Sequence, residues 1–350
     1  IVGDADQLPS VSPGQVLSDL LQIPSIPQVK LEHVFRQSED STIVTLASQI
    51  RKGHLPPDFM EKKPDRSYFE APSELVAPMI EKITSAALRN GIPARDIQVL
   101  APMYRGSAGI DQINSLMQEL LNPLETDALF FQALDCQYRN GDKVIHLVND
   151  AESNVFNGDI GYITDLLPAK YTESKQDELT IQFDGNELVY PRNEWYKIRL
   201  AYAMSIHKSQ GSEFPVVILP LTNQSRRMLQ RNLIYTAITR SKSKLILLGE
   251  YTAFHFATQN TGTARKTYLI ERFSDVLPQG RDSSSASTAH LKEPTKKTEP
   301  QKELVSVENH SDLSASQASQ QGYRLTEDNY LSIDPMIGLT EEEIQHFFKN

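Results

Sequence analysis

From Ile1 to about Ala257, short apolar runs alternate with longer stretches in which apolar positions recur every three or four residues. Such alternation is the pattern of a largely parallel β-sheet flanked by helices. Residues 216–219 and 245–248 are continuous apolar runs of strand length and read as strands buried on both faces. Residues 97–100 read as another, and Ile1 and Val2 as the middle of a further buried strand. Ser73 opens a predicted helix with Leu75, Val76, Met79, Ile80 and Ile83 at helical spacing and Gly91 just past its end. A second amphipathic helix runs through Ile43, Leu46, Ala47 and Ile50, and a third, closed by Arg240, buries Leu229, Leu233 and Ala237.

Between about Cys136 and Leu200 the pattern changes to short alternating runs at residues 143–148, 159–165, 179–183 and 187–190. The turns between them are marked by Asn140-Gly141-Asp142, Asn157-Gly158-Asp159 and Asp184-Gly185-Asn186. This is the signature of a small antiparallel barrel inserted between two α/β segments. The Asp and Asn residues belong to turn chemistry, because no calcium-loop spacing with a terminal Glu accompanies them. From Pro278 to about Gly322 the chain is rich in Ser, Gln, Lys, Glu and Thr and nearly free of aromatics, which predicts disorder. Apolar character returns at residues 330–337, followed by a short helix at residues 341–348 capped by Thr340. An apolar patch after a flexible linker reads either as a docking peptide or as a strap onto the parent domain.

Composition narrows the classes. The 350 residues suffice for two or three compact domains, and no apolar run approaches the roughly 20 residues of a membrane-spanning helix. A single cysteine, Cys136, excludes an internal disulfide framework and a cysteine-based zinc cluster, and points to a reducing cytoplasm. The formal net charge of −10 argues against an indiscriminate polyanion binder. Half of that charge sits from Pro278 onward, where 7 basic residues face 12 acidic ones. Any nucleic-acid site must therefore be a local groove of Lys and Arg. The chain opens on Ile1-Val2-Gly3-Asp4, with neither an initiator Met nor a signal peptide, which suggests a fragment of a longer polypeptide.

Four constellations carry candidate chemistry. Residues 3–9 (Gly-Asp-Ala-Asp-Gln-Leu-Pro) place carboxylates and an amide just after a strand, where Gln7 can orient water or sense a phosphate. A turn and helix cap is the alternative for Asp4 and Asp6. Val34-Phe35-Arg36-Gln37 offers a guanidinium fork suited to phosphate oxygens, against the alternative of a surface ion pair. Met103-Tyr104-Arg105-Gly106 pairs an aromatic face with a cation, as single strands are gripped, or else forms a capped turn. The most informative stretch is Ser205-Ile206-His207-Lys208-Ser209-Gln210-Gly211-Ser212-Glu213-Phe214, followed closely by Tyr235-Thr236-Ala237-Ile238-Thr239-Arg240. Here His207 and Lys208 can contact phosphates, Gly211 permits close backbone approach, and Glu213 can accept from a ribose hydroxyl. Arg240 either reaches a γ-phosphate or caps helix carbonyls. No His-x-x-x-His or paired-Cys pattern suggests zinc, and the phosphate loop Gly-x-x-x-x-Gly-Lys-Ser/Thr does not occur.

In that order the motifs resemble the C-terminal half of a RecD-like (RecD/TraA type) superfamily 1 ATP-dependent DNA helicase, over roughly residues 1–273. Gly-Asp-x-x-Gln-Leu-Pro resembles motif III, Phe-Arg-Gln motif IV, Met-Tyr-Arg-Gly the following strand-contacting motif, Ser-Ile-His-Lys-Ser-Gln-Gly-Ser-Glu-Phe motif V, and Tyr-Thr-Ala-Ile-Thr-Arg motif VI. The resemblance implies an α/β fold: a RecA-like parallel-sheet motor domain with an inserted SH3-like antiparallel barrel and a disordered C-terminal tail. Its segments would be the end of the first motor domain (1–29), the first part of the second (30–135), the barrel (136–200), the second part of the second motor domain (201–277) and the tail (278–350). It implies that Gln7, Arg36 and Arg240 approach the γ-phosphate of ATP and that Gly211 and Glu213 lie near the nucleotide. Tyr104, Arg105, Ser205, His207 and Lys208 would face single-stranded DNA, with Phe156, Tyr190 or Trp195 of the barrel touching it, core packing being the alternative for Trp195. ATP with Mg²⁺ is the implied cofactor, and its phosphate loop and metal ligands would precede Ile1, so this chain alone should not hydrolyse ATP. The implied partners are single-stranded DNA and duplex junctions, with a protein partner for the tail and no membrane. The alternatives are a non-catalytic DNA- or partner-binding module derived from a motor, and a nuclease-linked or relaxase-linked subunit.

Overall fold

The structure is a computed structural model that describes residues 1–30, 41–133, 135–263 and 265–276. Arg36, the segment from Pro278 onward and the short helix expected at 341–348 lie outside the described residues. The chain runs through α1 (Val16–Leu20), α2 (Thr42–Arg51), β1 (Arg66–Glu70), α3 (Ser73–Arg89), β2 (Ile97–Ala101) and α4 (Ile110–Leu121). The short strands β3 (Phe130–Gln132) and β4 (Gln137–Arg139) follow, then β5 (Lys143–His146), β6 (Ile160–Leu167), β7 (Glu178–Gln182), β8 (Glu187–Pro191) and β9 (Ile198–Leu200). It finishes with β10 (Ala203–Ser205), β11 (Phe214–Leu221), α5 (Arg231–Ile238), β12 (Ser241–Gly249), α6 (Tyr251–Gln259) and α7 (Leu269–Val276).

Five strands form a parallel sheet in the order β1-β12-β11-β2-β10. Register is set by pairs such as Phe69 with Leu248, Ile218 with Val99, and Leu100 with Met204. The continuous apolar runs are explained by burial on both sides, since successive residues of β11 enter different cores. Val216 and Ile218 join Val76 and Ile80 of α3, Ile113 and Met117 of α4, and the apolar interior of the antiparallel sheet. Val217 and Leu219 face the opposite way, into α2 (Ile43, Leu46, Ile50), α5 (Leu233, Ala237) and α6 (Ala253, Phe254, Ala257).

The second sheet is antiparallel, in the order β8-β7-β6-β5-β9, and lies in sequence between β2 and β10. The turn at 140–142 leads into it from β4, which pairs with β3 in a separate two-stranded sheet, while the turns at 157–159 and 184–186 separate strands of this sheet, β5 from β6 and β7 from β8. Asp142, in the first of these turns, is fully buried and accepts from Gln118 Nε2 at 2.6 Å, Asn122 Nδ2 at 2.8 Å, the Arg139 N–H at 2.7 Å and Tyr202 Oη at 2.9 Å. One carboxylate thereby fastens α4, the start of the antiparallel sheet and the chain entering β10. Nearby, Asn114 donates to the carbonyls of Leu200 and Ala203 and accepts the Ala203 N–H, fixing the crossing from β9 into β10.

Three expectations need correction. Ile1 and Val2 are exposed and outside any strand, because no described strand runs beside them. Leu75 is exposed, the buried stripe of α3 being Val76, Ala77, Ile80, Thr84 and Ala87. Tyr190 is buried, with its hydroxyl 2.9 Å from His146 Nδ1. Trp195 stacks on Phe131 at 5.6 Å and donates to the Tyr190 carbonyl at 2.9 Å, as core packing requires. Of the three barrel aromatics only Phe156 is exposed.

Candidate nucleotide and nucleic-acid interface

β10 ends at Ser205, and the chain then folds into a tight turn. The N–H groups of Lys208 and Ser209 return to the Ser205 carbonyl at 3.0 and 3.2 Å, and Ser209 Oγ donates to the Ile206 carbonyl at 2.8 Å. Ser205 is itself buried, and its Oγ accepts the Lys208 N–H at 3.3 Å, so this hydroxyl shapes the turn that presents His207 and Lys208. Gly211 has φ +86°, a conformation that favours glycine, and open space where a Cβ would stand. Glu213 meets Lys242 at 3.4 Å.

Arg240 lies two residues beyond α5 and is almost fully buried. Its Nε donates to the Thr236 carbonyl at 3.1 Å, Nη1 to the Ser212 carbonyl at 3.2 Å, and Nη2 to Gln7 Oε1 and Thr239 Oγ1, each at 3.1 Å. The N-terminal segment is held against α5 by further bonds. Leu8 N–H donates to Thr236 Oγ1 at 2.8 Å, Tyr235 Oη to Asp4 Oδ2 at 3.0 Å, and Gln7 Nε2 to the same carboxylate oxygen at 3.1 Å. Gln210 of the tight turn reaches the Leu8 carbonyl at 2.8 Å. Burial beside Asp4 pushes the Tyr235 phenol up to about 12, so it remains a donor at every working pH. Gln7, the turn at 211–213 and Arg240, far apart in sequence, thus converge into one hydrogen-bonded cluster. Tyr235 and Thr236, which lie in the same motif as Arg240 but to which the sequence alone assigns no role of their own, belong to it as well.

A second grouping surrounds a cavity of about 240 Å³ lined by Tyr104, Asp111, Asp135, Cys136, Arg199 and Lys208 among others. Tyr104 is 38% exposed at its rim. Arg105 is exposed beside Tyr104, while neither Arg105, Ser205 nor His207 lines the cavity. Burial holds Lys208 below the ordinary lysine value, with like charge on Arg199 adding to the effect. Burial also lowers the His207 imidazole, which makes it a neutral hydrogen-bonding ring at pH 7 rather than a cation. Among the other lining residues burial raises the Asp111 carboxyl, and Arg199 lies 3.8 Å from Asp135. Burial pushes the Cys136 thiol up to about 11, leaving it protonated and unreactive. Among the described residues no three His, Cys, Asp or Glu side chains come together as a metal site, and no helix is long and apolar enough to cross a membrane.

A parallel sheet whose loops gather arginine, glutamine and a lysine-bearing turn, interrupted by a small antiparallel sheet, defines a helicase-type motor domain. Three family models match the chain in succession. An AAA domain covers residues 1–71, the ATP-dependent RecD-like DNA helicase SH3 domain covers 113–183, and the UvrD-like helicase C-terminal domain covers 200–248. The chain is 33% identical over 278 residues to the ATP-dependent RecD2 DNA helicase of Deinococcus radiodurans, an alignment spanning 78% of this chain and 35% of the relative. It is 28% identical over 271 residues to the RecBCD enzyme subunit RecD of Mycolicibacterium smegmatis, spanning 71% of this chain and 44% of that one. The crystal structure of Bacteroides Pif1 bound to single-stranded DNA aligns with a TM-score of 0.43 at 17% identity, over 71% of this chain and 56% of that one. These matches support a RecD-like helicase of superfamily 1 as the family that the chain resembles. The alignments span 35% and 44% of the length of these two relatives, under half of each.

Proposed function

We propose that the polypeptide to which this segment belongs hydrolyses ATP between two RecA-like domains and moves 5′ to 3′ along single-stranded DNA, opening duplex ahead of it in repair or recombination in the cytoplasm. In this reading residues 1–29 end the first motor domain, residues 30–135 and 201–277 build the second, and residues 136–200 form the inserted barrel. The segment from Pro278 onward binds a protein partner.

The observation that carries the reading is the contact between Arg240 and Gln7, 3.1 Å apart across 233 positions of sequence. It joins the two stretches expected to meet a γ-phosphate from opposite domains. Arg240 and Gln7 supply guanidinium and amide donors of the kind a phosphate takes, and Arg36 is assigned to join them. Gly211 and Glu213 sit on the nucleotide side of the same turn. Bound ATP with Mg²⁺ supplies the phosphoryl group and its charge neutralisation. The 350 residues hold no phosphate loop, so this segment is inactive alone.

Coupling between nucleotide and strand follows from one short loop. Ser212, whose carbonyl accepts from Arg240, lies four residues beyond Lys208. A guanidinium that leaves Ser212 and Gln7 for phosphate oxygens loosens the turn that carries Lys208 and removes one of the bonds that hold the N-terminal segment. Tyr104, Arg105, His207 and Lys208 form the strand side, with Tyr104 as the stacking platform, Lys208 as the partly desolvated cation and the buried Ser205 serving the strand through the turn it shapes. Tyr104→Ala in the intact parent polypeptide is expected to weaken single-stranded DNA binding by about 5- to 150-fold, the equivalent of one lost base stack. An unchanged affinity by fluorescence anisotropy would sink the strand assignment.

A further inference from the structure

The turn Asn223–Met228 follows β11 and carries two consecutive arginines. Arg226 and Arg227 are both exposed, and among the described residues neither meets a carboxylate within ion-pair distance. Arg226 lies over the Phe256 ring, 3.9 Å from its centre. This stacking fixes the direction of the guanidinium and leaves its edge donors available. With Asn223, Gln224, Phe256 and Asn260 the two arginines line an open cleft. In a chain of net charge −10, two adjacent cations with no carboxylate of the described residues at ion-pair distance make a local positive spot, the nearby Glu250 carboxylate being taken up by the Asn223 N–H.

Gln224 connects this cleft to the loop that bears Tyr104 and Arg105. Its Nε2 donates to Ser73 Oγ at 2.8 Å, its Oε1 lies 3.5 Å from Ser107 Oγ, and the same oxygen stands 3.3 Å from where a Cβ on Gly106 would be. The arginine turn and the Tyr104 loop are therefore neighbours on one surface. Because Arg226 covers the one aromatic ring lining the cleft, no ring is open there to stack on a base. Guanidinium edges and carboxamides are what remain, and these suit phosphodiester oxygens. The cleft is too open, and its cations too exposed, to enclose a free nucleotide.

We propose that Arg226 and Arg227 form an additional phosphate-contact site for a nucleic-acid strand, continuing the path from Tyr104 and Arg105 across Gln224 into the cleft beside Phe256. This rests on the strand reading above. The site reads backbone and not sequence, so its signature is electrostatic.

The test uses the intact parent polypeptide and a fluorescein-labelled oligothymidylate of about 20 nucleotides, with affinity measured between about 50 and 200 mM salt. Each phosphate contact on a single strand contributes about 0.7 to the slope of log affinity against log salt. Arg226→Ala with Arg227→Ala is expected to lower the slope by about 1.4, and Arg227→Ala alone by about 0.7. Arg227→Lys should retain the slope. Among the described residues the Arg227 side chain makes no hydrogen bond, ion pair or ring contact, so the single variant remains informative if loss of the Phe256 stack destabilises the double one. An unchanged slope and affinity in Arg227→Ala, with the unaltered protein binding the strand normally, would overturn the proposal and leave the Tyr104 site standing. Binding of a poly-glutamate peptide at the cleft together with an unchanged DNA slope would overturn it equally. Failure of the unaltered protein to bind the oligonucleotide at all would remove the strand reading itself, and the proposal with it.

Discussion

Lys143 offers a test of how the antiparallel sheet is joined to the parallel one. It begins β5, is almost fully buried, and donates from Nζ to the carbonyls of Arg95 and Ile97 at 3.3 Å each, at the start of β2. The Phe214 ring lies 5.7 Å away. Among the described residues no carboxylate pairs with it, and burial pulls its pKa down from 10.5 to about 8, opposed by the more distant Asp96. Below pH 8 the amine is charged in both the folded and unfolded chain, so the full cost of burying it is present and independent of pH. Between 8 and 10.5 the unfolded chain holds a proton that the folded chain has lost, so stability rises with pH. At about 1.4 kcal/mol per pH unit the complete window is worth on the order of 3 kcal/mol, of which about 2 kcal/mol falls between pH 8 and 9.5. Measurement should stop there, because buried tyrosines such as Tyr138 and Tyr202 have raised pKa values and cost stability once the unfolded chain begins to lose phenolic protons near pH 10. Urea denaturation of the unaltered chain and of Lys143→Met at pH 7.5 and 9.5 isolates the term. The variant also loses two hydrogen bonds, which offsets its curve without altering its pH dependence. The unaltered chain should gain about 2 kcal/mol relative to the variant over this interval. Parallel pH profiles for the two would refute the claim that a charge is buried at this junction.

Two further predictions concern the end of the interior strand β12 and the docked N-terminal segment. Gly249 has φ +120°, and a Cβ there would stand 2.1 Å from the Leu221 carbonyl oxygen, a backbone atom that cannot swing aside. Gly249→Ala is expected to cost about 3 kcal/mol or more and to lower the Tm by roughly 6–12 °C, and a shift under about 2 °C would contradict it. Thr236→Val keeps the shape of a fully buried side chain but removes the acceptor of the Leu8 N–H. Hydrogen exchange at Leu8 should accelerate about 5- to 10-fold, matching the loss of one bond of about 1 kcal/mol, and unchanged protection would show that the segment is held by other means.

The sequence disclosed features that repeat or that punctuate. The apolar runs at 216–219 and 245–248 announced strands buried on both faces, and the glycine turns announced the antiparallel insertion. Long-range polar fasteners left no such trace. Nothing about Asp142 distinguishes a turn residue from a carboxylate that gathers four donors, and Asn114 looks like any amide on an amphipathic helix. Tyr190 was legible as an aromatic of an alternating strand, but its burial depends on His146 and Phe183 arriving beside it from other strands. Leu75 fits the helical spacing yet falls on the solvent side, because small residues, Ala77 and Ala87, let α3 approach its neighbours along an adjacent stripe. The grouping of Gln7 with Arg240 followed from motif order, whereas the roles of Tyr235 and Thr236 in holding them required coordinates.

The most direct test of the motor assignment is ATP hydrolysis by the intact parent polypeptide with and without single-stranded DNA, comparing the unaltered protein with Arg240→Lys. The lysine keeps a positive charge but lacks the fork that now spans Ser212, Gln7 and Thr239. The account predicts DNA-stimulated turnover that falls by about 10³-fold or more in the variant, as for a guanidinium acting on transition-state charge, with folding and strand affinity retained. DNA-stimulated turnover that survives Arg240→Lys, or no DNA-dependent turnover in the unaltered protein, would contradict it.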